Sequence, residues 1–540
     1  MEEELDKKQG DPGKNADEQK SKKNIIFGTV LGYVSLVLGV LSGLFFTPWI
    51  IEKIGNSGYG IYTLSNSVIN FFLFDFGLSA ATNTVLSKLK AEKHYDELDS
   101  VLGMIYKLYF FIDFLLGLGF IIIYFCSGYI YAGLSQEELD TFKSVFLLSA
   151  AFSLVSFPST TFSGVLTAYE EFVSIKTIEI LNKILYVSFT IIAILTNASV
   201  FSLVLANCSA GIICTLIKYL LIRFRLHVNA NLKNHFSFQE AKPFLSFSVW
   251  AAVLSLCSRL VLNVMPSILG ITSDSTNIAV FGIVSTIEGY VYTFGSVVGS
   301  FFLTKISRVM SNPKTASQDL FLLSCRVGKI QFVFIGLIEA GFLSLGIDFI
   351  MLWMHGDTTY LTAYWGISMI ILYQLIHVPE VVLNSSMYIT NNVKSLAIVA
   401  CIKATINVIL AFIFTKMWGC LGACISIAIS RFIQLFLDNY CYKKYLNISI
   451  LSFFKKTFLK ATPCFLLSLA TGVLCYLYLP IERLLIKFIV EVVVVTVVYV
   501  IGTTFLSFSK EERSRFWQSI GKHLTRKTVV ANTSNRNSKK

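Results

Sequence analysis

Apolar residues run in long blocks with short polar breaks along nearly all of this 540-residue chain. The blocks lie at roughly 25–50, 60–81, 104–131, 142–168, 175–196, 199–222, 244–270, 277–303, 328–353, 363–388, 395–415, 418–440, 459–479 and 483–507. Each holds the about 20 residues that a helix needs to cross a hydrocarbon core of roughly 30 Å. Lipid offers no partner to an unpaired N–H or C=O, so spans of this length are helices. The pattern predicts an all-α polytopic membrane protein with about 14 transmembrane helices.

The polar breaks alternate in charge. Six Lys precede Asn24, and Lys88, Lys90 and Lys93 follow the second block. Arg223, Arg225, Lys233 and Lys242 follow the sixth, Lys305, Arg308, Lys314 and Arg326 the eighth, and Lys443, Lys444, Lys455 and Lys456 the twelfth. The intervening loops hold little beyond Lys53, Lys143, Lys416 and Arg483. Cytoplasmic loops carry the Lys/Arg excess, so both termini are expected in the cytoplasm, as an even helix count requires.

Block 244–270 breaks its own pattern. Arg259 sits deep within it, where a guanidinium costs roughly 2.5–3.5 kcal/mol even on lenient insertion scales. Ser248, Ser255, Arg259 and Asn263 follow at seven, four and four, which places them on one helix face. Pro266 interrupts the backbone ladder near the outer end, so neighbours must re-satisfy a freed carbonyl. A helix with one wet stripe and one cation belongs beside a cavity, and the function expected is transport.

A faint repeat joins this block to the first. One ends TPWIIEKIGNSGYGIY and the other MPSILGITSDSTNIAVF, with Pro48 and Pro266 standing 218 residues apart. Six helices per repeat is an even number, so the two halves insert in the same orientation. The expected layout is a polar tail (1–24), an N-lobe (25–222), a basic linker (223–242), a C-lobe (243–442), a basic loop (443–458), two extra helices (459–507) and a basic tail (508–540). Gly28, Gly32, Gly39 and Gly43 form a small-residue stripe suited to close helix packing.

Charges within the other blocks sort by spacing. Glu179 with Lys183, and Lys487 with Glu491, are i,i+4 pairs that can neutralise themselves. With its charges paired locally, the segment 459–507 is expected to be peripheral to transport. Lys403 and Arg431 lie deeper, and Arg431 can snorkel or pair with Asp438. Asp75 shares a face with Ser65, Ser79 and Asn83, and Glu288 shares one with Ser285, Tyr292 and Ser296. Glu288 and Arg259 stand at similar depth in one hairpin. Two readings stand: a buried ion pair that cancels two insertion penalties, or a cavity pair in which Arg259 meets an anion while Glu288 takes a proton. Glu339 is a second candidate carrier of H⁺ or Na⁺, as intramembrane acids commonly are. Candidate cavity residues are thus Arg259, Asn263, Asp75, Lys403 and Arg431, with Glu288, Glu339 and Asp75 as ion-coupling candidates.

Composition narrows the class further. The chain is 54% hydrophobic and 14% charged, and its net charge of +12 sits mostly in tails and loops. That is a topology signal, and no nucleic-acid partner is expected. The eleven Cys are scattered within apolar runs without metal-ligand spacing, so no metal site or disulfide framework is expected. The polar first 24 residues do not read as a cleavable signal peptide. GxxxxGK[ST], HExxH and GxSxG are absent, which leaves no ATPase or hydrolase motif. The chain is read as a non-enzyme without a cofactor, driven by an ion gradient or by its substrate's own. Short external loops also disfavour a membrane-embedded polymerase or ligase.

FFLFDFGLSAATN (71–83), FSGVLTAYEEF (162–172), SRLVLNVMPSILG (258–270), FIMLWMHGD (349–357) and MWGCLGACISIAISRF (417–432) resemble the polysaccharide transporter family of Wzx-type flippases. That family shares a superfamily with the MATE drug exporters and the lipid II flippases. The resemblance implies two six-helix lobes around a central cavity, plus two C-terminal helices. It also implies that undecaprenyl-diphosphate-linked oligosaccharide is flipped across the bacterial inner membrane for O-antigen, capsule or exopolysaccharide synthesis. Membrane lipids and polysaccharide polymerase or assembly proteins are the partners it suggests. Relatives often show Asp-Arg or Asp-Lys where this chain has Ser258-Arg259, and the helix-one Arg used by lipid II flippases is absent. A MATE-like H⁺ or Na⁺ drug antiporter is the alternative. Cavity charge discriminates the two, since drug cations favour acidic linings and a diphosphate needs Arg or Lys.

Topology gives the first testable outcome. Single cysteines at Ser57, Ser135 and Thr358 should react with an impermeant maleimide on intact cells, and those at Lys90, Asn234 and Lys455 only after permeabilisation. Labelling of Asn234→Cys from outside would refute both the orientation and the parallel repeat.

Overall fold

A computed structural model describes residues 12–73, 78–92, 95–229, 250, 252–300, 302–311 and 315–507. Among these residues the secondary structure is helical, with no strand. The first half contains α1 (Pro12–Phe72), α2 (Leu78–Ala91), α3 (Tyr95–Ile130), α4 (Gln136–Ser156), α5 (Thr160–Ala168), α6 (Phe172–Thr196) and α7 (Val200–Leu220). The second half begins with α8 (252–262). It continues through α9 (Met265–Thr272), α10 (Ser275–Ser300), α11 (Leu303–Met310), α12 (Ala316–Trp353), α13 (Leu361–His377), α14 (Val381–Ile389), α15 (Val393–Leu446) and α16 (Ile450–Thr457). The chain closes on α17 (Thr462–Tyr478) and α18 (Leu484–Gly502).

Eleven described helices are long and apolar enough to cross a membrane, or twelve if the pair formed by α16 and α17, bent by 51°, counts as one span. The sequence pattern predicts about fourteen. The difference lies in two elements that continue through a turn: Val30–Phe72 has 43 residues and Val393–Leu446 has 54. At 1.5 Å per residue these would be roughly 65 and 80 Å long, more than twice the hydrocarbon core. Each is broken at a glycine in the left-handed region, Gly55 at φ 76° and Gly419 at φ 52°. An L side chain is strained there. The second break is also pinned, because Asn277 Oδ1 accepts from the Cys420 N–H at 2.8 Å. A Cβ on Gly419 would meet that same oxygen at 2.4 Å.

Block 244–270 ends in a true break. Asn263 and Val264 form a turn, and Pro266 is the second residue of α9, within its first turn. There its missing N–H costs nothing. The carbonyls left at the end of α8 find side chains: Asn407 Nδ2 donates to Leu260 and Val261 oxygens at 3.4 and 3.3 Å, and Ser67 Oγ donates to the Asn263 carbonyl. The kink is thus re-satisfied from α15 and α1. Ser248 lies outside the described residues.

The two halves meet at the end that the charge pattern assigns to the outside. One apolar cluster there joins Ile50, Ile61 and Leu64 of α1 to Met265, Ile268 and Leu269 of α9 and to Ile278, Phe281 and Val284 of α10. At the opposite end the packing divides: Leu86, Leu98, Leu166 and Ile222 form one cluster, and Ile306, Leu320, Met387 and Leu446 belong to another. Polar contacts reinforce the outer closure. Ser57 and Ser275 both donate to Glu138 Oε1, Trp353 Nε1 donates to the Leu44 carbonyl at 2.6 Å, and Gly133 N donates to the Gly270 carbonyl at 3.3 Å. Tyr360 donates to Asn56 Oδ1 at 2.8 Å, and Asn56 Nδ2 donates to Asp357 at 3.2 Å.

The C-terminal pair packs on α12. Its charges do not pair only locally, as spacing alone suggests. Lys487 Nζ lies 2.9 Å from Asp348 of α12 and 3.6 Å from Glu491. The ion pair therefore ties α18 to the lobe.

Burial pushes the Asp357 carboxyl up, but hydrogen bonds from Thr359 and Asn56 outweigh it and hold the group below its ordinary 3.8. A lowered folded-state value stabilises above the ordinary value, and that contribution fades as pH falls through the lowered one. Asp357→Asn should therefore melt below the parent at pH 7 and approach it at pH 3. An equal gap at both pH values in detergent melting curves would refute this account of the closure.

Candidate functional site

Inside the C-lobe, α8, α10, α13 and both arms of α15 enclose a cavity of about 390 Å³. Its charged lining is Glu288, Lys403 and Arg431, with His377, Gln374, Gln434, Tyr373 and Tyr292 beside them. Helical spacing explains the set. Tyr373 and His377 are four apart on α13, and their rings stack at 4.8 Å between centroids. Arg431, Gln434 and Asp438 descend one face of α15 in steps of three and four.

Glu288 is the hub. Arg431 Nη1 stands 2.8 Å from its Oε1, both side chains being at least nine-tenths buried, and Gln374 Nε2 donates to the same oxygen at 2.8 Å. The Arg431 guanidinium also lies over the Tyr373 ring at 5.5 Å. Tyr373 donates to Gln434 Oε1 at 3.3 Å, and Gln434 Nε2 donates to Asp438 at 3.0 Å. Lys403 is buried within electrostatic reach of Arg431 and Asp438. Glu380, fully buried one turn below, accepts from Asn439 at 2.8 Å. The lining carries two cations against one carboxylate. Such a wall can hold an anion, and it can release Glu288 whenever Arg431 turns to another partner.

The expected partnership of Glu288 with Arg259 is corrected. Similar depth in one hairpin places the two side by side in sequence order, but Glu288 turns toward α15 and takes Arg431. Arg259 turns the other way, and its guanidinium donates to the Asn70 carbonyl of α1. It therefore bridges the two lobes. Asn263 lies on the same seam, its carbonyl accepting from Ser67. Arg431 pairs with Glu288 rather than with Asp438, which turns to Gln434. Lys403 lines the cavity. Glu339 does not: it is fully buried in α12, three residues after Gly336, whose own position faces the Tyr499 hydroxyl of α18. Asp75 lies outside the described residues.

Sequence reasoning missed Gln374, Gln434 and Tyr373. Neutral amides and a phenol cost less in lipid than charges, so they raise no alarm in an apolar run. Their three- and four-residue spacing from His377, Arg431 and Asp438 is the signal that could have found them. The i,i+4 pairing of Glu179 with Lys183 also fails, since Glu179 takes Lys176 at 2.9 Å, one residue nearer in sequence. Among the described residues no group of His, Cys, Asp and Glu could hold a metal ion.

Residues 54–332 match the model of a family described as polysaccharide biosynthesis protein. No curated protein sequence matches the chain. Solved structures share the fold. The lipid II flippase MurJ in an inward closed conformation is 18% identical, covers 89% of this chain and 98% of its own, and superposes with a TM-score of 0.71. An inward-facing MATE multidrug resistance transporter of the MOP superfamily is 14% identical over 76% of this chain and 94% of its own, with a TM-score of 0.61. An outward-facing conformation of such a transporter is also 14% identical, over 79% and 96%, with a TM-score of 0.54.

The hub predicts strong coupling between its members. Removing one partner of a buried ion pair costs about 3–5 kcal/mol, whereas replacing both with neutral groups is often close to neutral. Arg431→Met should therefore lower the melting temperature sharply, and adding Glu288→Gln should restore most of it. Additive losses in the double variant would show that the two side chains do not act as a pair.

Proposed function

Since the chain belongs to the polysaccharide biosynthesis protein family, we propose that it flips an undecaprenyl-diphosphate-linked oligosaccharide across the bacterial inner membrane. Both termini lie in the cytoplasm in this reading, and the glycan is released outside to polymerase or assembly proteins. One observation carries the choice of cargo: the C-lobe cavity is lined by Arg431 and Lys403 against the single carboxylate of Glu288. A drug cation would be repelled by that excess, while a diphosphate requires it. Arg259 on the seam between the lobes adds a planar fork that matches phosphate geometry. The shared fold with the MATE transporters gives drug export its support, but the lining charge speaks against it.

Alternating access follows from the packing. With the outer ends joined and the inner ends packed as separate clusters, the cargo headgroup enters from the cytoplasmic side. As the lobes reorient, the phosphates compete with Glu288 for Arg431. Glu288 then takes a proton, or a Na⁺ ion, and this exchange couples the gradient to the step. Glu339, away from the cavity, is left to the junction of α12 with α18.

The test is reconstitution of the purified chain in liposomes with a fluorescent undecaprenyl-diphosphate oligosaccharide. Outward transfer should require an imposed ion gradient. Arg259→Lys should keep part of the rate and Arg259→Ala should lose at least about tenfold, since one charge-assisted bidentate contact is removed. A chain that moves a lipophilic cation and leaves the lipid-linked glycan in place would replace this reading with a drug antiporter.

A further inference from the structure

The junction of α12 with α17 and α18 holds a carboxyl that the Glu288 hub does not use. Missing side chains let the three helices pack closely there. A Cβ on Gly336 of α12 would stand 2.5 Å from the Tyr499 hydroxyl of α18 and 3.6 Å from the Phe465 ring of α17, and one on Gly472 of α17 would run into Ser344 Oγ of α12. Phe465 and Gly472 stand 129 and 128 residues beyond the α12 positions they face, so α12 and α17 run in the same direction at constant register. That register puts Ser468 level with Glu339, on the face of α17 that Phe465 and Gly472 share with it at three and four residues. Tyr499 comes within electrostatic reach of Glu339 from α18. All three side chains are buried, and neither Glu339 oxygen, nor the Tyr499 hydroxyl, nor Ser468 Oγ has a hydrogen-bond partner.

A carboxylate in such a place needs a cation, and these three helices bring none to it. Lys487 is committed to Asp348 and stands twelve residues from Tyr499, roughly 18 Å along α18. Arg326 and Lys329 lie ten or more residues before Glu339, at least about 15 Å along α12. The titratable groups that α17 and α18 bring to the junction are Cys464 and Tyr499, and the Cys464 thiol donates to the Tyr499 carbonyl at 3.2 Å. On the other helices packed against α12, Glu288, Tyr373 and His377 line the C-lobe cavity, Glu380 accepts from Asn439, and Lys456 lies over the Phe321 ring. A buried carboxyl with neither counter-ion nor donor is stable as the neutral acid, which supplies an O–H of its own and still offers an acceptor to a hydroxyl. A metal ion would need more oxygens than these side chains present. We propose that this junction is a proton-binding site, in which Glu339 holds the proton while α17 and α18 lie against α12. The proton comes from water and forms only the O–H bond of the acid. Its release leaves a charge that only water can satisfy, so proton uptake and closure of the junction favour each other. The site is separate from Glu288 and does not depend on which cargo the chain moves.

The test is difference infrared spectroscopy of the full chain in phosphatidylcholine nanodiscs at pH 7, parent minus Glu339→Gln. The difference should contain the carbonyl band of one neutral carboxyl, lost in the variant, and that band should shift in heavy water. Carboxylate bands in its place would overturn the proposal. Carboxylate bands that move when Na⁺ is replaced by choline would overturn it in favour of a sodium site. Tyr499→Phe supplies an independent variant that keeps Glu339 and removes one hydroxyl beside it. The carbonyl band of a neutral acid should move in that variant, because its stretch responds to the hydrogen bonds that it accepts and donates. Where Glu339→Gln does not fold, a carbonyl region identical in the parent and Tyr499→Phe would overturn the proposal. Every one of these outcomes is independent of transport, so the flippase reading stands or falls on its own test.

Discussion

Inside a hydrocarbon core a charge has to find an opposite charge, a polar partner or water, and the interior of this protein is arranged around that demand. Arg431 and Glu288 neutralise each other at 2.8 Å, Lys487 reaches from α18 to Asp348 at 2.9 Å, and Lys176 holds Glu179 at the same distance. The first two contacts also join pieces of chain that hydrophobic packing alone would leave free to slide: α10 to α15, and α18 to α12. Arg259 and Lys183 donate to main-chain carbonyls of α1.

The same demand applied to the backbone explains the shape of the spans. A broken helix must hand its unpaired carbonyls to someone, and α8 hands them to Asn407 and Ser67. Those two donors come from different lobes. The break is therefore held by the C-lobe through α15 and by the N-lobe through α1, and Arg259 is presented at the seam between them. Movement of one lobe against the other changes what the break and the guanidinium touch. Reversals at Gly55 and Gly419 accomplish the opposite task, turning the chain sharply enough that helical hydrogen bonding resumes within a residue or two.

Closure at one end and separation at the other is a property of packing as much as of polar contacts. A continuous apolar cluster spans α1, α9 and α10 at one end, and hydrogen bonds from Ser57, Ser275, Asn56 and Tyr360 ring it. These bonds are few and local, whereas the apolar cluster has to be pulled apart as a unit. A two-state closure has this character, with a cooperative core and a polar rim that tunes its balance.

Hydrophobic block length, the alternation of Lys and Arg, and the break marked by Pro266 were all legible in the chain, because bilayer thickness and backbone chemistry act on one helix at a time. The depth of Arg259, Glu288, Lys403 and Arg431 was legible for the same reason. Their partnerships were not. Spacing within a helix says which residues share a face, and it says nothing about which neighbour that face meets. Glu179 had a lysine three residues before it and another four residues after, and the packing of α6 on α1 drew the second toward Ser35. Glu288 and Arg259 matched in depth, yet the rotation of α10 within the lobe faced one toward α15 and that of α8 faced the other toward α1. By itself the sequence determined how many polar and charged groups the membrane interior must accommodate and at what depth. Only the tertiary structure decided which of them meet, because ion pairing depends on distances of a few ångströms between helices far apart in the chain.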